Sequence, residues 1–200
     1  MSNTEHHDYF GAKLGMWLFL FTELLLFGGL FLLYAVYFKR YPEEFAAGGR
    51  QLDWVLGTVN TLILLTSSLF AAMAVTAVQR SEQRRSMALI GGTVLCAAGF
   101  LVIKYVEWSA KISHGIYPGA ERLKSGDPGE SVFFGLYYLT TGLHGLHVLI
   151  GGILLVWIAV KVKNGAVTAD NGILLENGAL YWHLVDLIWI FIFPLYYLML

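Results

Sequence analysis

The chain has 200 residues, of which 57% are hydrophobic and only 14% are charged, and its formal net charge is −1. A soluble domain carries about 25% charged residues, so this composition predicts an integral membrane protein. The near-zero net charge offers no electrostatic basis for binding nucleic acid. The single cysteine, Cys96, excludes an internal disulfide and a cysteine-based metal site.

Five apolar segments follow one another along the chain, each near the roughly 20 residues that cross a bilayer as a helix. They predict an all-α membrane protein, with residues 1–200 forming a single transmembrane domain and five helices forming one bundle. The chain ends then lie on opposite sides of the membrane. The basic loop around Arg84 favours a cytoplasmic N-terminus, because short basic loops stay on the cytoplasmic side. The predicted spans cover residues 14–38, 54–78, 87–108, 132–160 and 178–200.

The first span carries a single carboxyl group, that of Glu23. At 1.5 Å per residue it lies roughly 14 Å from the start of the span, near mid-membrane. A carboxyl group at this depth is either protonated or hydrogen-bonded and paired. Two roles stay open for Glu23, a proton-handling group and a structural carboxyl that bonds a neighbouring helix.

The second and third spans contain polar residues suited to contacts between helices. Lys104 and Glu107 close the third span at i, i+3 spacing, so they can pair weakly. Their position near the end of the span predicts a location at the membrane interface, with a structural or headgroup-contacting role. The second span supplies a line of small polar residues for packing: Asn60, Thr61, Thr66, Ser67 and Ser68.

The fourth and fifth spans each contain a polar pair at i, i+3 spacing, His144 with His147 and His183 with Asp186. Two imidazoles on one helix face are a candidate metal or haem site. Measured from the side of the N-terminus, His183 lies roughly 8 Å deep and Asp186 roughly 12 Å. His147 and His144 lie roughly 21 and 25 Å deep. We therefore predict no metal, hydrogen bonds between helices for the two histidines, and no approach of these histidines to Glu23.

The residues alone favour two further functions less well. A small proton-coupled transporter could use Glu23 and Asp186 as proton relays, but an odd number of spans without an internal repeat counts against it. A haem-binding cytochrome subunit needs paired axial histidines at matching depth, and His144 and His183 do not match.

Segments from all five spans together resemble subunit III of the haem–copper oxidases, the respiratory terminal oxidases. Each segment alone is modest evidence, but the five occur in the order of the family and cover nearly the whole chain. The long members of the family have seven spans, and this chain resembles the short five-helix bacterial form. The matching segments are Lys13–Trp17 with Glu23, Asn60-Thr61 with Leu65–Ser68, Glu107-Trp108, Thr141–His147, and Tyr181–Asp186 with Trp189.

The resemblance implies a non-catalytic subunit of a proton-pumping, cytochrome c oxidase-like complex that serves aerobic electron transport. This chain would pack on the catalytic subunit I, and also meet subunit II, in the bacterial inner membrane. Its N-terminus would be cytoplasmic and its C-terminus periplasmic. It would bind structural phospholipid and support proton uptake, without a catalytic residue or cofactor of its own, while the partner subunit would hold haem and copper.

The resemblance also implies roles for the polar residues within the spans. Lys104 departs from the glutamine expected in many members, which leaves the pairing around Glu107 open. The electron donor is open as well, since short subunits III occur in cytochrome c oxidases and quinol oxidases, and related chains accompany nitric oxide reductases. The buried polar positions, expected to line a lipid cleft or support proton uptake, are Glu23, His144, His147, His183 and Asp186.

Overall fold

The computed structural model describes the backbone of residues 2–198 and the side chains of residues 10–123 and 125–198. Five of its helices are long and apolar enough to cross a membrane, which confirms the all-α fold with five spans. Residues 199 and 200 of the fifth predicted span lie outside the described residues. The elements are α1 (Ser2–Arg40), α2 (Pro42–Arg50), α3 (Trp54–Gln79), α4 (Gln83–Ser113), α5 (Glu121–Lys124), α6 (Pro128–Lys163), α7 (Ile173–Phe193) and a terminal π-helix (Pro194–Leu198).

Short polar and proline-containing segments set where the helices begin. The Asp53 carboxylate caps α3 by accepting hydrogen bonds from the backbone N–H groups of Val55 and Leu56, at 2.9 and 3.1 Å. Such a cap satisfies donors that have no partner inside the helix. Pro128 occupies the first turn of α6, where its missing N–H costs nothing. The first four predicted spans fall inside α1, α3, α4 and α6, and the described part of the fifth runs from α7 into the terminal π-helix.

The interior of the bundle is formed by α3, α4, α6 and α7. Helix α3 packs most extensively on α4, α4 packs on α6, and α7 lies against both α3 and α6. Close approach requires small residues at the crossings. Gly151 of α6 is one example, since a Cβ atom there would lie 2.9 Å from the rings of Tyr181 and Trp182 on α7.

Helix α1 packs on α6 and α7 at the edge of this bundle and exposes much of its apolar surface, including Trp17, Leu25 and Leu32. Its far end is anchored by Tyr34, whose hydroxyl donates a hydrogen bond to the Leu195 carbonyl at 2.5 Å. That carbonyl belongs to the π-helix. The edge position leaves one long face of α1 open to lipid or protein.

Candidate functional site

Lys104 and Glu107 form a buried ion pair, with the Lys104 Nζ atom 2.9 Å from Glu107 Oε2. The hydroxyls of Tyr137 and Tyr197 donate to Glu107 Oε1 at 2.8 and 2.7 Å. Lys104 also donates to Tyr197 at 2.7 Å and to Tyr137 at 3.1 Å. One carboxylate thus joins α4, α6 and the terminal π-helix.

The predicted pairing of Lys104 with Glu107 is confirmed at 2.9 Å, while the location of the pair at the membrane interface stays a prediction. The two residues are only 6% and 3% exposed. Helix α4 continues to Ser113, so the pair lies inside the helix rather than at its end. Enclosure by tyrosine hydroxyls replaces the water that a snorkelling side chain would seek.

Glu23 and His147 form a second, partly buried pair between α1 and α6. Glu23 Oε2 lies 2.9 Å from His147 Nε2, which contradicts the prediction that this histidine and this carboxyl do not meet. That prediction assumed a common starting plane for all spans. Because the helices are longer than a bilayer requires, each shifts along its own axis until its side chains pack.

The hydrogen bonds of His147 define the proton content of this pair. Its Nδ1 atom lies 2.7 Å from the Leu143 carbonyl, and a carbonyl only accepts, so Nδ1 carries a hydrogen. The contact between Nε2 and Glu23 then needs a proton from either a carboxylic acid or an imidazolium ion. In both cases the pair shares one proton and has no net charge. The bond to a neighbouring helix is present, while proton handling by Glu23 stays a prediction.

His144 packs against two aromatic rings. It is fully buried, and neither ring nitrogen has a hydrogen-bond partner among the described residues. Its ring centroid is 5.4 Å from that of Phe100 and 5.1 Å from that of Trp189. The prediction of a hydrogen bond between helices is therefore confirmed for His147 and wrong for His144.

His183 and Asp186 share a face of α7, as their spacing predicts, but they have different surroundings. His183 Nδ1 lies 2.7 Å from the Ser68 hydroxyl. Asp186 is 4% exposed, and its two oxygens have no hydrogen-bond partner in the described part of the chain. Ser68 bonds His183, so the Asp186 carboxyl stays without a hydrogen bond among the described residues.

The polar line of α3 bonds other helices, as predicted, through Thr61, Ser67 and Ser68. Thr66 is exposed and bonds only the Leu62 carbonyl of its own helix, and the buried side chain of Asn60 has no hydrogen-bond partner in the described part of the chain. Trp182 Nε1 donates to the Ser67 hydroxyl at 2.9 Å, and Trp189 Nε1 donates to Thr61 at 3.0 Å. Sequence reasoning missed Tyr197 as a member of the Glu107 network and Ser68 as the partner of His183. The i, i+3 spacing directed attention to pairs on one helix, whereas both partners lie on other helices.

No group of three or more His, Cys, Asp or Glu side chains is arranged to hold a metal ion within the described part of the chain. The Lys104–Glu107 network, the Glu23–His147 pair and the His183–Ser68 hydrogen bond each join two or three helices. The absence of a metal or cofactor stays a prediction.

Comparison with known proteins identifies the family. A family model described as cytochrome c oxidase subunit III matches residues 3–199. The chain belongs to this family. It is 30% identical to cytochrome bo(3) ubiquinol oxidase subunit 3 of Pseudomonas aeruginosa, over 96% of this chain and 88% of that protein. It is also 30% identical to cytochrome c oxidase subunit 3 of Thermostichus vulcanus, over 98% of this chain and 90% of the relative.

A longer subunit III relative carries two subunits on one polypeptide. This chain is 31% identical to heme-copper oxidase subunit I+III of Aeropyrum pernix over 92% of its own length, but spans only 22% of that fused protein. The predicted resemblance to subunit III of the haem–copper oxidases is therefore confirmed, and so is a multi-pass membrane protein.

Proposed function

We propose that this chain is the non-catalytic subunit III of a proton-pumping haem–copper terminal oxidase of the bacterial inner membrane. The observation that carries the proposal is the match of the subunit III family over residues 3–199. Haem and copper, and with them dioxygen reduction, belong to the catalytic partner. The N-terminus is cytoplasmic and the C-terminus periplasmic, in agreement with the basic loop between α3 and α4.

The partner that this subunit packs against is subunit I, with subunit II nearby. Support comes from the relative of Aeropyrum pernix, whose name joins subunits I and III. A fused pair of subunits has to lie side by side in one membrane. The exposed apolar face of α1, which includes Trp17, Leu25 and Leu32, offers a surface that a membrane-embedded partner can cover.

Phospholipid binding is supported by an apolar groove along the seam of α4 and α6. Its central part has a volume of about 270 Å³ and continues, through Val94 and Val156, into a second part of about 260 Å³ that ends at Lys163. An acyl chain matches the apolar walls, and the Lys163 ammonium suits a lipid phosphate. The walls of the central part include Ala97, Ala98, Leu101, Val148 and Gly152.

The groove can be tested by filling it. Ala98 is an exposed residue of the groove wall, so Ala98→Trp should lower the amount of phospholipid that stays bound to the purified complex. Leu95→Trp is the matched control, because Leu95 is 74% exposed on the same helix and does not line the groove. Equal lipid content in both variants, measured by mass spectrometry of extracted lipid, would argue against a lipid site here.

Support of proton uptake rests on buried and partly buried groups that can hold or share a proton. The Glu23–His147 pair shares one proton at a contact of 2.9 Å, and Asp186 lies buried beside the Ser68–His183 hydrogen bond. Groups of this kind suit a subunit that sustains proton delivery to its catalytic partner.

The experiment for the whole proposal is purification of this chain from its native membrane in mild detergent. A haem–copper subunit should co-purify and give a reduced-minus-oxidised haem spectrum, while the dissociated chain should be colourless. Purification without such a partner, or a haem spectrum from the isolated chain, would refute the proposal. The relatives include both cytochrome c and quinol oxidase subunits. Comparing the rates at which the same sample oxidises cytochrome c and quinol therefore identifies the electron donor.

A further inference from the structure

A polar-rimmed cavity opens into the side of the bundle at which α1 and α7 begin, called the N-side here. It has a volume of about 430 Å³ and lies between α1, α3 and α7. Lys13 and Glu176 line it and form an ion pair at 3.1 Å. The imidazole of His183 lines it as well, with apolar walls that include Trp17 and Leu180. Water at the N-side surface can therefore reach His183.

Behind His183 lie two more groups that can carry a proton. His183 Nδ1 is 2.7 Å from the Ser68 hydroxyl. The Asp186 carboxyl follows His183 by one turn of α7 and lies near Ser68, but neither of its buried oxygens has a hydrogen-bond partner in the described part of the chain. A serine hydroxyl donates one hydrogen and accepts others, and it rotates to suit its neighbours. A Ser68 hydroxyl that turns from His183 toward Asp186 would therefore link the two groups.

Asp186 lies at the inner end of this series. Its carboxyl lies near Ser68 of α3 and within electrostatic reach of Cys96 of α4, while His183 precedes it by one turn on α7. One turn further from the N-side, the Trp189 ring packs against Phe100 at a centroid distance of 4.8 Å.

Two other titratable groups, His144 and Glu23, contact residues outside this series. His144 of α6 lies against Trp189 on the far side of Asp186. On α1, Glu23 is engaged with His147 of α6. Beyond Asp186 come the fully buried ring of Trp189 and, 5.5 Å from its centroid, the Lys104 Nζ atom of the Glu107 network. Among the described residues, the cavity at His183 connects the polar series to the N-side.

We propose that Asp186 is a proton-binding site that is loaded from the N-side through His183 and Ser68. A proton from cavity water binds His183 Nε2, the Nδ1 proton passes to Ser68, and the Ser68 hydroxyl proton passes to the Asp186 carboxylate. One proton enters and one is bound, so the charge of the carboxylate is neutralised. Exchange with cavity water returns His183 to its first tautomer. The proposal refines the proton-uptake part of the proposed function and rests on it.

The test follows hydrogen–deuterium exchange of the protonated carboxyl by infrared spectroscopy of the purified complex. Asp186→Asn identifies the carbonyl band of Asp186 by removing it. Ser68→Ala breaks the relay and should slow exchange of this band by about tenfold or more, as expected when a positioned proton-transfer group is lost. Ser68→Thr keeps the hydroxyl and should restore the rate. Thr66→Val is the matched control, since Thr66 is exposed on α3 and bonds only the Leu62 carbonyl.

Unchanged exchange in Ser68→Ala, or no band that depends on Asp186 at any pH, would overturn the relay. If Ser68→Ala fails to assemble, His183→Gln gives the same test, because an amide bonds Ser68 but does not relay protons. Failure of the relay is distinguishable from failure of the proposed function. The infrared band is read without oxygen consumption, and the subunit role is decided by co-purification of haem.

Discussion

Removing the Lys104 ammonium tests whether the Glu107 network holds the bundle together. Lys104→Met keeps the length and apolar stem of the side chain but removes its charge. Glu107 would then be a carboxylate that is 3% exposed, with only the Tyr137 and Tyr197 hydroxyls as donors. We expect this variant to lose stability, because a buried charge is left without its counter-ion.

The magnitude follows from the partners that remain. Removing one member of a buried ion pair costs about 3–5 kcal/mol, and the two tyrosine hydrogen bonds place this variant at the lower end, about 3 kcal/mol. A loss of this size shifts the folding equilibrium about a hundredfold. Adding Glu107→Gln to Lys104→Met should recover most of the lost stability, since a neutral amide oxygen still accepts hydrogen bonds from the two tyrosines.

Cys96, the only cysteine of the chain, reports the opening of the bundle. Purified complex is heated with a maleimide, and the labelled fraction of the Cys96 peptide is measured by mass spectrometry. The control is Arg85→Ala, which breaks the ion pair between Arg85 and Glu82 at the start of α4. The two charged groups are 3.0 Å apart, and both side chains are largely exposed. An exposed pair of this kind contributes about 0.5 kcal/mol.

The reasoning is refuted if Lys104→Met opens no more readily than Arg85→Ala. It is also refuted if the double variant is as unstable as the sum of its single changes. In either case the buried ion pair would not be the source of the stability.

Three shorter predictions address the other contacts. Gly151→Ala should destabilise the complex by about 1–3 kcal/mol and lower its melting temperature, because the added Cβ would lie 2.9 Å from two aromatic rings. Gly135→Ala is the control and should leave the melting temperature unchanged, since nothing lies within 4 Å of a Cβ there. Glu23→Gln should assemble normally, since its amide can donate to His147 Nε2, and loss of the subunit from the purified complex would contradict this. Trp189→Phe should cost about 1 kcal/mol in heat stability through one lost hydrogen bond, and an unchanged midpoint would count against that bond.

The fold follows from the sequence because lipid imposes one simple requirement. A segment that crosses the bilayer must satisfy its own backbone, so apolar stretches of sufficient length become helices. The polar positions inside those stretches were also visible, because an ionisable group in lipid is costly and rare. Glu23 and Asp186 could therefore be chosen before any coordinates were known.

The pairing of these polar groups could not be derived in the same way. It depends on how far each helix shifts and tilts against its neighbours, which side-chain packing decides. Depth counted from the span ends kept Glu23 and His147 apart, yet they lie in contact at 2.9 Å. Spacing along one helix also suggested His183 with Asp186, whereas the hydroxyl that bonds His183 comes from Ser68 on α3.

The link between Tyr34 and Leu195 has a consequence for biosynthesis. The two residues are 161 positions apart, and the chain is made from its N-terminus at about 5–20 residues per second. The Tyr34 hydroxyl therefore waits about 10–30 s after synthesis for its acceptor. During this time the far end of α1 lies in the membrane without this hydrogen bond, which forms only after the other four membrane-spanning helices have been inserted. A chaperone or insertase that shields α1 during this interval would favour correct assembly.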